Sequence, residues 1–440
     1  MRQPRAVVFG SGHSGMTLAT GLLADGWRVD VFTRHSTPEL LGGPAGLTQI
    51  TLPSVRAAER SLGLDLWATT APETRSLRMA MVPDQQEPWS FTATLDAAAT
   101  AVDHRLKTAY WLQRFESLGG GVHVKTCTVA DVASFASSGM YDLVVVAPGV
   151  DSDLGRLFAP DERRIGGATD RVAVQAHLDG FARAPEDPDI RVITSPHGEV
   201  LIYPVLAHDV LTPAQVRELS GKDDAQIDVA PYWATCVQVL ARPGSTLDPD
   251  PAVNATSGPT TKAGLPSRHG HHAQAAWNHV LSHLTVLAPD LAEQCAKANV
   301  IPHSELVRQI RPQVRHPVTV LGGVPVLGIG DATVTVEHAS GQGAGASTLV
   351  ATTVRDQIRQ QRHVNGPLDR AFLTGAWEAY WARHGQYTSG FGEFVTGYWN
   401  GALPQTLLKA FAEAVATPVG ANAWAAGLDD PARMAHFLAH

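Results

Sequence analysis

Two glycine signatures lie more than three hundred residues apart in this chain, and its fold has to account for both. The first, Gly10-Ser11-Gly12-His13-Ser14-Gly15, directly follows the apolar run Ala6-Val7-Val8-Phe9. Behind it Met16, Ala19, Leu22 and Leu23 recur at helical spacing until Gly26, so the motif joins a strand to a helix. In that setting Gly10 permits the tight turn, Gly12 lets a pyrophosphate approach the backbone, and Gly15 lets helix and strand pack closely. Ser11 and His13 complete the loop, whose free N–H groups and helix dipole favour phosphate.

The second signature begins with the apolar strand Val326-Leu327-Gly328-Ile329, which ends on Gly330-Asp331. Ten residues later comes Gly341-Gln342-Gly343-Ala344-Gly345, followed by helical composition over 346–358. Asp331 is placed to accept hydrogen bonds from ribityl hydroxyls. The helix starting near Gly343, with Gly341, Gln342 and Ala344 beside it, is expected to aim its N-terminus at a flavin N1–C2=O edge. That edge becomes anionic on reduction, so the helix dipole stabilises the reduced form. One GxGxxG alone indicates a dinucleotide; the pair indicates a single FAD clasped by distant segments.

Between them lie weaker signals. The second strand, 28–34, ends on Thr33 and Arg34 where an acid usually binds the adenosine ribose, which by itself leaves NAD, NADP and FAD open. Arg105 opens a helix running to about Leu118 and is either a ligand for cofactor phosphate or ribose, or a surface arginine. Val129 and Gly149 are further candidates; Gly149 ends the apolar strand 141–149, which reads as a central parallel strand beside the nucleotide.

The chain is expected to be an α/β protein with a discontinuous Rossmann-type FAD-binding domain, 1–150 and 320–360. An inserted, mainly antiparallel substrate domain spans 155–315, with strands near 191–194, 200–205 and 232–240. A helical region, 364–440, follows, in which Trp377, Tyr380, Trp381 and Phe391 are read as packing. The stretch 241–270 reads as a long loop. A net charge of −8 and no basic stretch argue against nucleic-acid or anionic-membrane partners. No apolar run reaches spanning length and no leader precedes the first strand, so a cytoplasmic protein is expected. Cys127, Cys236 and Cys295 are far apart and read as buried thiols. Metal is not expected, since the histidines at 269, 271, 272, 279 and 283 lack an HExxH or other convergent set.

These motifs resemble the epoxidase component of styrene monooxygenases and the related indole monooxygenases. GSGHSG, AVDHRL at 101–106, YDLVVVAPG at 141–149, HGEVLIYP at 197–204, GIGD, GQGAG and DPARMAHFL carry the likeness, collinear over essentially the whole chain. The resemblance implies a two-component enzyme. A separate NADH-dependent reductase would deliver reduced FAD, and this subunit would react it with O2 to a C4a-hydroperoxyflavin and pass one oxygen atom to an aromatic or heteroaromatic substrate. Self-reducing relatives carry an aspartate where this chain has Pro148, which favours reduction by a partner. The flavin-side segment 43–48 lacks the arginine and asparagine of styrene enzymes; Leu47 and Thr48 are its candidate site residues. Glu337-His338 replaces Asp-Pro, making His338 a candidate to hydrogen-bond the reactive oxygen or to act as an acid. His197 either faces the substrate pocket or is structural, and Arg315 is expected near the cofactor or the reductase. The rivals are a single-component NAD(P)H-dependent hydroxylase and a non-catalytic binding protein on the same fold. A halogenase is disfavoured because WxWxIP is absent. Monomer and homodimer both stay open.

Overall fold

The computed structural model describes residues 2–149, 152–164, 169–220, 229–249 and 267–434, with side chains of the last segment from 272 onward. Two sheets organise it. The first has six strands in the order β15 (Val318–Leu321), β16 (Val324–Gly328), β7 (Leu143–Val146), β1 (Arg5–Phe9), β2 (Arg28–Thr33) and β6 (Gly121–Val124). All of its pairings are parallel except β15 with β16. The central strands are apolar on both faces because both are covered. Ala6 and Val8 pack with the helices His13–Ala24, His104–Ser117 and Gly343–His363, whereas Val7 and Phe9 pack with the helix Val129–Ser137.

The second sheet has nine strands. Its order is β12 (Asn299–Val300), β8 (Arg171–Asp179), β11 (Pro231–Ala241), β10 (Gly198–His208), β9 (Ile190–Ser195), β4 (Glu73–Met81), β5 (Trp89–Ala101) and β3 (Ile50–Thr51), with β13 (Leu306–Ile310) also on β8. A short pair, β14 (Gln313–Val314) and β17 (Val334–Thr335), stands apart. The three strands expected near 191, 200 and 232 are β9, β10 and β11. The boundary at 150 needs correction. β3, β4 and β5 lie within 1–150 yet join the second sheet, where β4 pairs with β9. Alternation along β10 divides its faces. Val200 and Ile202 pack on the helix Ser267–Leu287, while Leu201, Tyr203 and Val205 face the C-terminal helices.

The helical C-terminus is present from Arg370 to Asp429, with a π-helical turn, Trp381–Gly385, inside one long helix. Gly385 is required there, since a Cβ would stand 2.8 Å from the Trp381 ring. Trp377 and Tyr380 join the core beside the first sheet, but Phe391 faces the second. Among the described residues no helix is long and apolar enough to cross a membrane, and no group of three or more His, Cys, Asp or Glu converges as a metal site. His279 and His283 stack on each other along their helix, with ring centroids 4.5 Å apart. The side chains of His269 and His271, residues 250–266 of the expected loop and the end of DPARMAHFL lie outside the described residues. Cys236 and Cys295 are buried, and Cys127 is only half-buried.

Candidate active site

The two glycine signatures touch. A Cβ on Gly330 would lie 2.2 Å from Ser14 Oγ, and Gly330 has φ +60°. His13 Nε2 meets Thr348 Oγ1 at 2.8 Å, and Arg355 grips Asp25 through two 2.7 Å hydrogen bonds. The helices His13–Ala24 and Gly343–His363 are thereby fixed with their N-termini near one another.

This arrangement fits FAD. Gly10, at φ +119°, has room for no side chain, because a Cβ would stand 2.2 Å from the Ala147 carbonyl oxygen. Gly12, by contrast, points a hypothetical Cβ into open space. Neither helix N-terminus has a side-chain cap, so both offer N–H donors, one suited to a pyrophosphate and one to the polar edge of a flavin ring. Asp331 is half-buried in the turn Gly330–Ala332 between them.

Other expected ligands take different roles. The Ser11 hydroxyl bonds Thr33 Oγ1 at 2.8 Å, and Thr33 donates to the His35 carbonyl, so the Thr33 hydroxyl braces the glycine loop and does not face a ribose. Arg34 is exposed next to it. Arg105 is corrected outright. Its guanidinium donates twice to Asp103 and also to the Gly43 and His303 carbonyls, at 2% exposure, which turns it inward and away from phosphate. Val129 is a partly exposed helix start, and Gly149 is exposed beyond β7. The Gln342 amide donates to the Ser340 and Leu428 carbonyls, tying the turn to the last helix, and Ala344 is buried. Arg315 donates to the Gly155 carbonyl and to Gln313, a bracing role.

A small chamber, about 360 Å³, opens between Leu47–Ile50, Tyr203, Gln238, His338 and the Gly341–Gly343 turn. Thr48 is its fixed wall. Its N–H donates to Gln175 Oε1, its carbonyl accepts from Tyr203 and Gln238, and its hydroxyl meets His177 Nε2 at 2.9 Å. His177 Nδ1 faces Asp103 Oδ2 at 3.5 Å. Burial pushes the His177 pKa down to about 4 despite that carboxylate. Burial also opposes ionisation of Asp103, but Arg105 outweighs it and holds the carboxyl well below the usual range. The result is a neutral imidazole clamped between a hydroxyl and an anion.

His338 borders the same chamber. Nδ1 lies 3.1 Å from the Val336 carbonyl, which only accepts, and burial lowers the pKa to about 4. The neutral ring therefore carries its proton on Nδ1 and presents Nε2 as an acceptor. At neutral pH the acid role is lost, and acceptance of a hydrogen bond is what this imidazole can do.

A larger chamber, about 920 Å³, adjoins the first across Ile50, Leu201 and Gly341. Its walls are mostly aliphatic and aromatic, with Phe391, Phe394, Phe411 and Trp424 from the C-terminal helices facing Leu77, Met79 and Ile190 of the sheet. Phe391 is thus a chamber residue as well as packing. His197 is not. It stands in the two-residue turn between β9 and β10, 3.2 Å from Asp84. Its motif neighbour Glu199 is the chamber residue. Glu199 belongs to a buried quartet that sequence reasoning missed. Arg171, fully buried, meets Glu337 at 2.8 Å and Glu199 at 3.5 Å, and Arg242 reaches Glu199 at 3.6 Å. Burial raises the pKa of both carboxyls, with Arg171 opposing.

No family model matches the sequence. Over 363 residues it is 25% identical to "Styrene monooxygenase StyA" of Pseudomonas fluorescens, a match covering 80% of this chain and 77% of that protein. The likeness to a styrene monooxygenase therefore extends over most of both chains. The match covers less than the full length expected from the motifs. Solved flavoproteins share the fold alone. A flavoprotein/dehydrogenase from Cytophaga hutchinsonii superposes with TM-score 0.63 at 13% identity, covering 98% of this chain and 93% of that one. A 2-methyl-3-hydroxypyridine-5-carboxylic acid oxygenase gives 0.57 at 16%, covering 98% of each. The flavin-dependent halogenase CmlS gives 0.60 at 16%, covering 92% of this chain, which spans 66% of the halogenase.

Proposed function

We propose that this chain uses FAD, reduced elsewhere by an NADH-dependent flavin reductase, and O2 to insert one oxygen atom into an aromatic or heteroaromatic substrate. The observation that carries this reading is the large apolar chamber that shares Ile50, Leu201 and Gly341 as walls with the smaller chamber beside the Gly341–Gly343 turn. Reduced flavin, when bound, supplies the two electrons that divide O2 between product and water. The protein supplies the rest. The aromatic walls exclude water and orient the substrate. Thr48 keeps the flavin-side wall fixed through four hydrogen bonds, and His338 Nε2 is an acceptor for a hydrogen bond in the smaller chamber. Pro148, at the end of β7, supports delivery of reduced flavin from a partner, since proline has no N–H and no acceptor side chain for a nicotinamide nucleotide.

Anaerobic mixing of the flavin-loaded chain with NADH or NADPH is the test. No bleaching is expected until a flavin reductase is added, after which air should yield oxygenated product from a panel of indoles, styrenes and thioethers. Rapid bleaching by the chain alone would instead mark a single-component hydroxylase. His338→Ala is expected to lower product yield per reduced flavin by about tenfold and to release the difference as hydrogen peroxide. An unchanged ratio of product to peroxide would confine His338 to packing.

A further inference from the structure

The motif Asp103-His104-Arg105 turns its two outer side chains inward and its middle one into open space. Asp103 and Arg105 are buried against each other, whereas His104 between them, the first residue of the helix His104–Ser117, is exposed. Its ring lies against the flavin-side segment, since a Cβ on Gly46 would stand 2.7 Å from His104 Nδ1. That segment is itself fixed, with the Gly43 carbonyl accepting from Arg105 and the Gly46 carbonyl from Gln175. Among the described residues neither ring nitrogen of His104 has a hydrogen-bond or ion-pair partner. An accessible imidazole with both nitrogens free is able to bind a ligand.

The open space around this ring is a recess in the fold. Desolvation by the surrounding protein lowers the His104 pKa to about 4; Arg308 of β13, Lys107 and Arg105 add to the fall, and Asp103 opposes it. A side chain that is open to contact yet desolvated faces a hollow walled by protein. Its neighbours locate that hollow. Burial and Lys107 lower the His13 pKa and His104 adds to the effect, so the ring is within electrostatic reach of the N-terminal glycine loop. Burial lowers the His338 pKa and Arg308 adds to that effect too, which puts Arg308 within reach of both histidines. Through Gly46 the ring is also two residues from Thr48, the fixed wall of the smaller chamber. In FAD the ribityl chain is what joins a pyrophosphate to a flavin ring. The cations around His104 disfavour an imidazolium, so the ring suits a hydroxyl rather than a phosphate.

Resting on the reading that this chain holds FAD, the geometry points to His104 as a ligand of the cofactor's ribityl hydroxyls. The cofactor contact within the motif thus falls one residue before Arg105, which instead anchors the segment that the His104 ring packs on. Gly46 has to lack a side chain for the ring to keep that place.

Titrating FAD onto the full chain, followed by flavin fluorescence, tests the contact without turnover. His104→Ala is expected to weaken binding about tenfold, and His104→Gln, which keeps a donor and an acceptor, by no more than about threefold. Thermal midpoints without FAD should match the parent's. If the alanine variant fails to fold, His104→Leu, which keeps an apolar body beside Gly46, carries the loss. Affinity equal to the parent's in the alanine or leucine variant would overturn the proposal. So would alanine and glutamine variants weakened alike, since that marks packing. The ratio of variant to parent affinity should be the same at about pH 6 and about pH 8; a loss that deepens at the lower pH would mean a charged imidazole on a phosphate, overturning the ribityl assignment. A parent chain that binds no FAD would defeat the FAD reading itself, whereas FAD binding indifferent to His104 defeats this contact alone.

Discussion

Gly12→Val is expected to leave the fold intact and to weaken FAD binding by about ten- to a hundredfold. The two halves of this expectation have separate causes. Gly12 has φ −70°, a value any residue adopts, and a Cβ there meets no atom within 4 Å. The folded protein therefore has no reason to object. The open space beside it is where a pyrophosphate would approach the backbone, and overpacking a close contact costs about 1–3 kcal/mol, which at 1.4 kcal/mol per decade gives that loss. Gly10→Ala makes the contrast, because its Cβ would collide with the Ala147 carbonyl at 2.2 Å and its φ of +119° is strained for any side chain. That variant should lose thermal stability with or without flavin. Thermal midpoints and fluorescence titration of FAD on both variants check the pair. Equal FAD affinity for Gly12→Val and the parent chain would mean that the phosphate does not lie over this loop.

The same glycines explain how far the sequence could be read. A GxGxxG between strand and helix, and a GD–GQGAG before another helix, each carry a local backbone requirement, so their places follow from short stretches of chain. Residues that depend on sheet order were hidden. Arg171 and Glu199 lie on β8 and β10, separated by β11, and nothing local relates them. β5 contains Asp96-Ala97-Ala98-Ala99, a composition with helical preference, and it is the pairing of the flanking residues, Thr94 with Ser76 and Ala99 with Thr74, that carries the strand through a bulge there. Arg105 misled because a helix-opening arginine near a nucleotide fold suggests phosphate, while its partner was the N-cap residue Asp103 two positions earlier. For His197 the structural alternative holds. The tight turn takes Pro196 and His197, so the alternation into the chamber begins at Glu199. One signal was available, since HGE and Glu337-His338 both place a glutamate beside an expected site histidine, and the two glutamates meet at Arg171.

Arg171→Met tests that meeting directly. The side chain is fully buried, and its loss leaves Glu199 and Glu337 facing each other with only Arg242 near Glu199. Removing one partner of a buried ionic cluster costs about 3–5 kcal/mol, a large share of the stability of any domain. The pH dependence has a definite sign. Burial already raises both carboxyl pKa values above their ordinary range, and Arg171 is what opposes that rise. Without it the folded variant binds protons at higher pH than the unfolded chain does. Its deficit relative to the parent protein should therefore shrink as pH falls from about 7 toward about 5, since protonation neutralises the stranded pair. Urea unfolding of both proteins at the two pH values measures this. A deficit that grows on acidification would mean that the carboxylates find another cation, and a deficit below about 1 kcal/mol at pH 7 would mean that the quartet is not a linked unit.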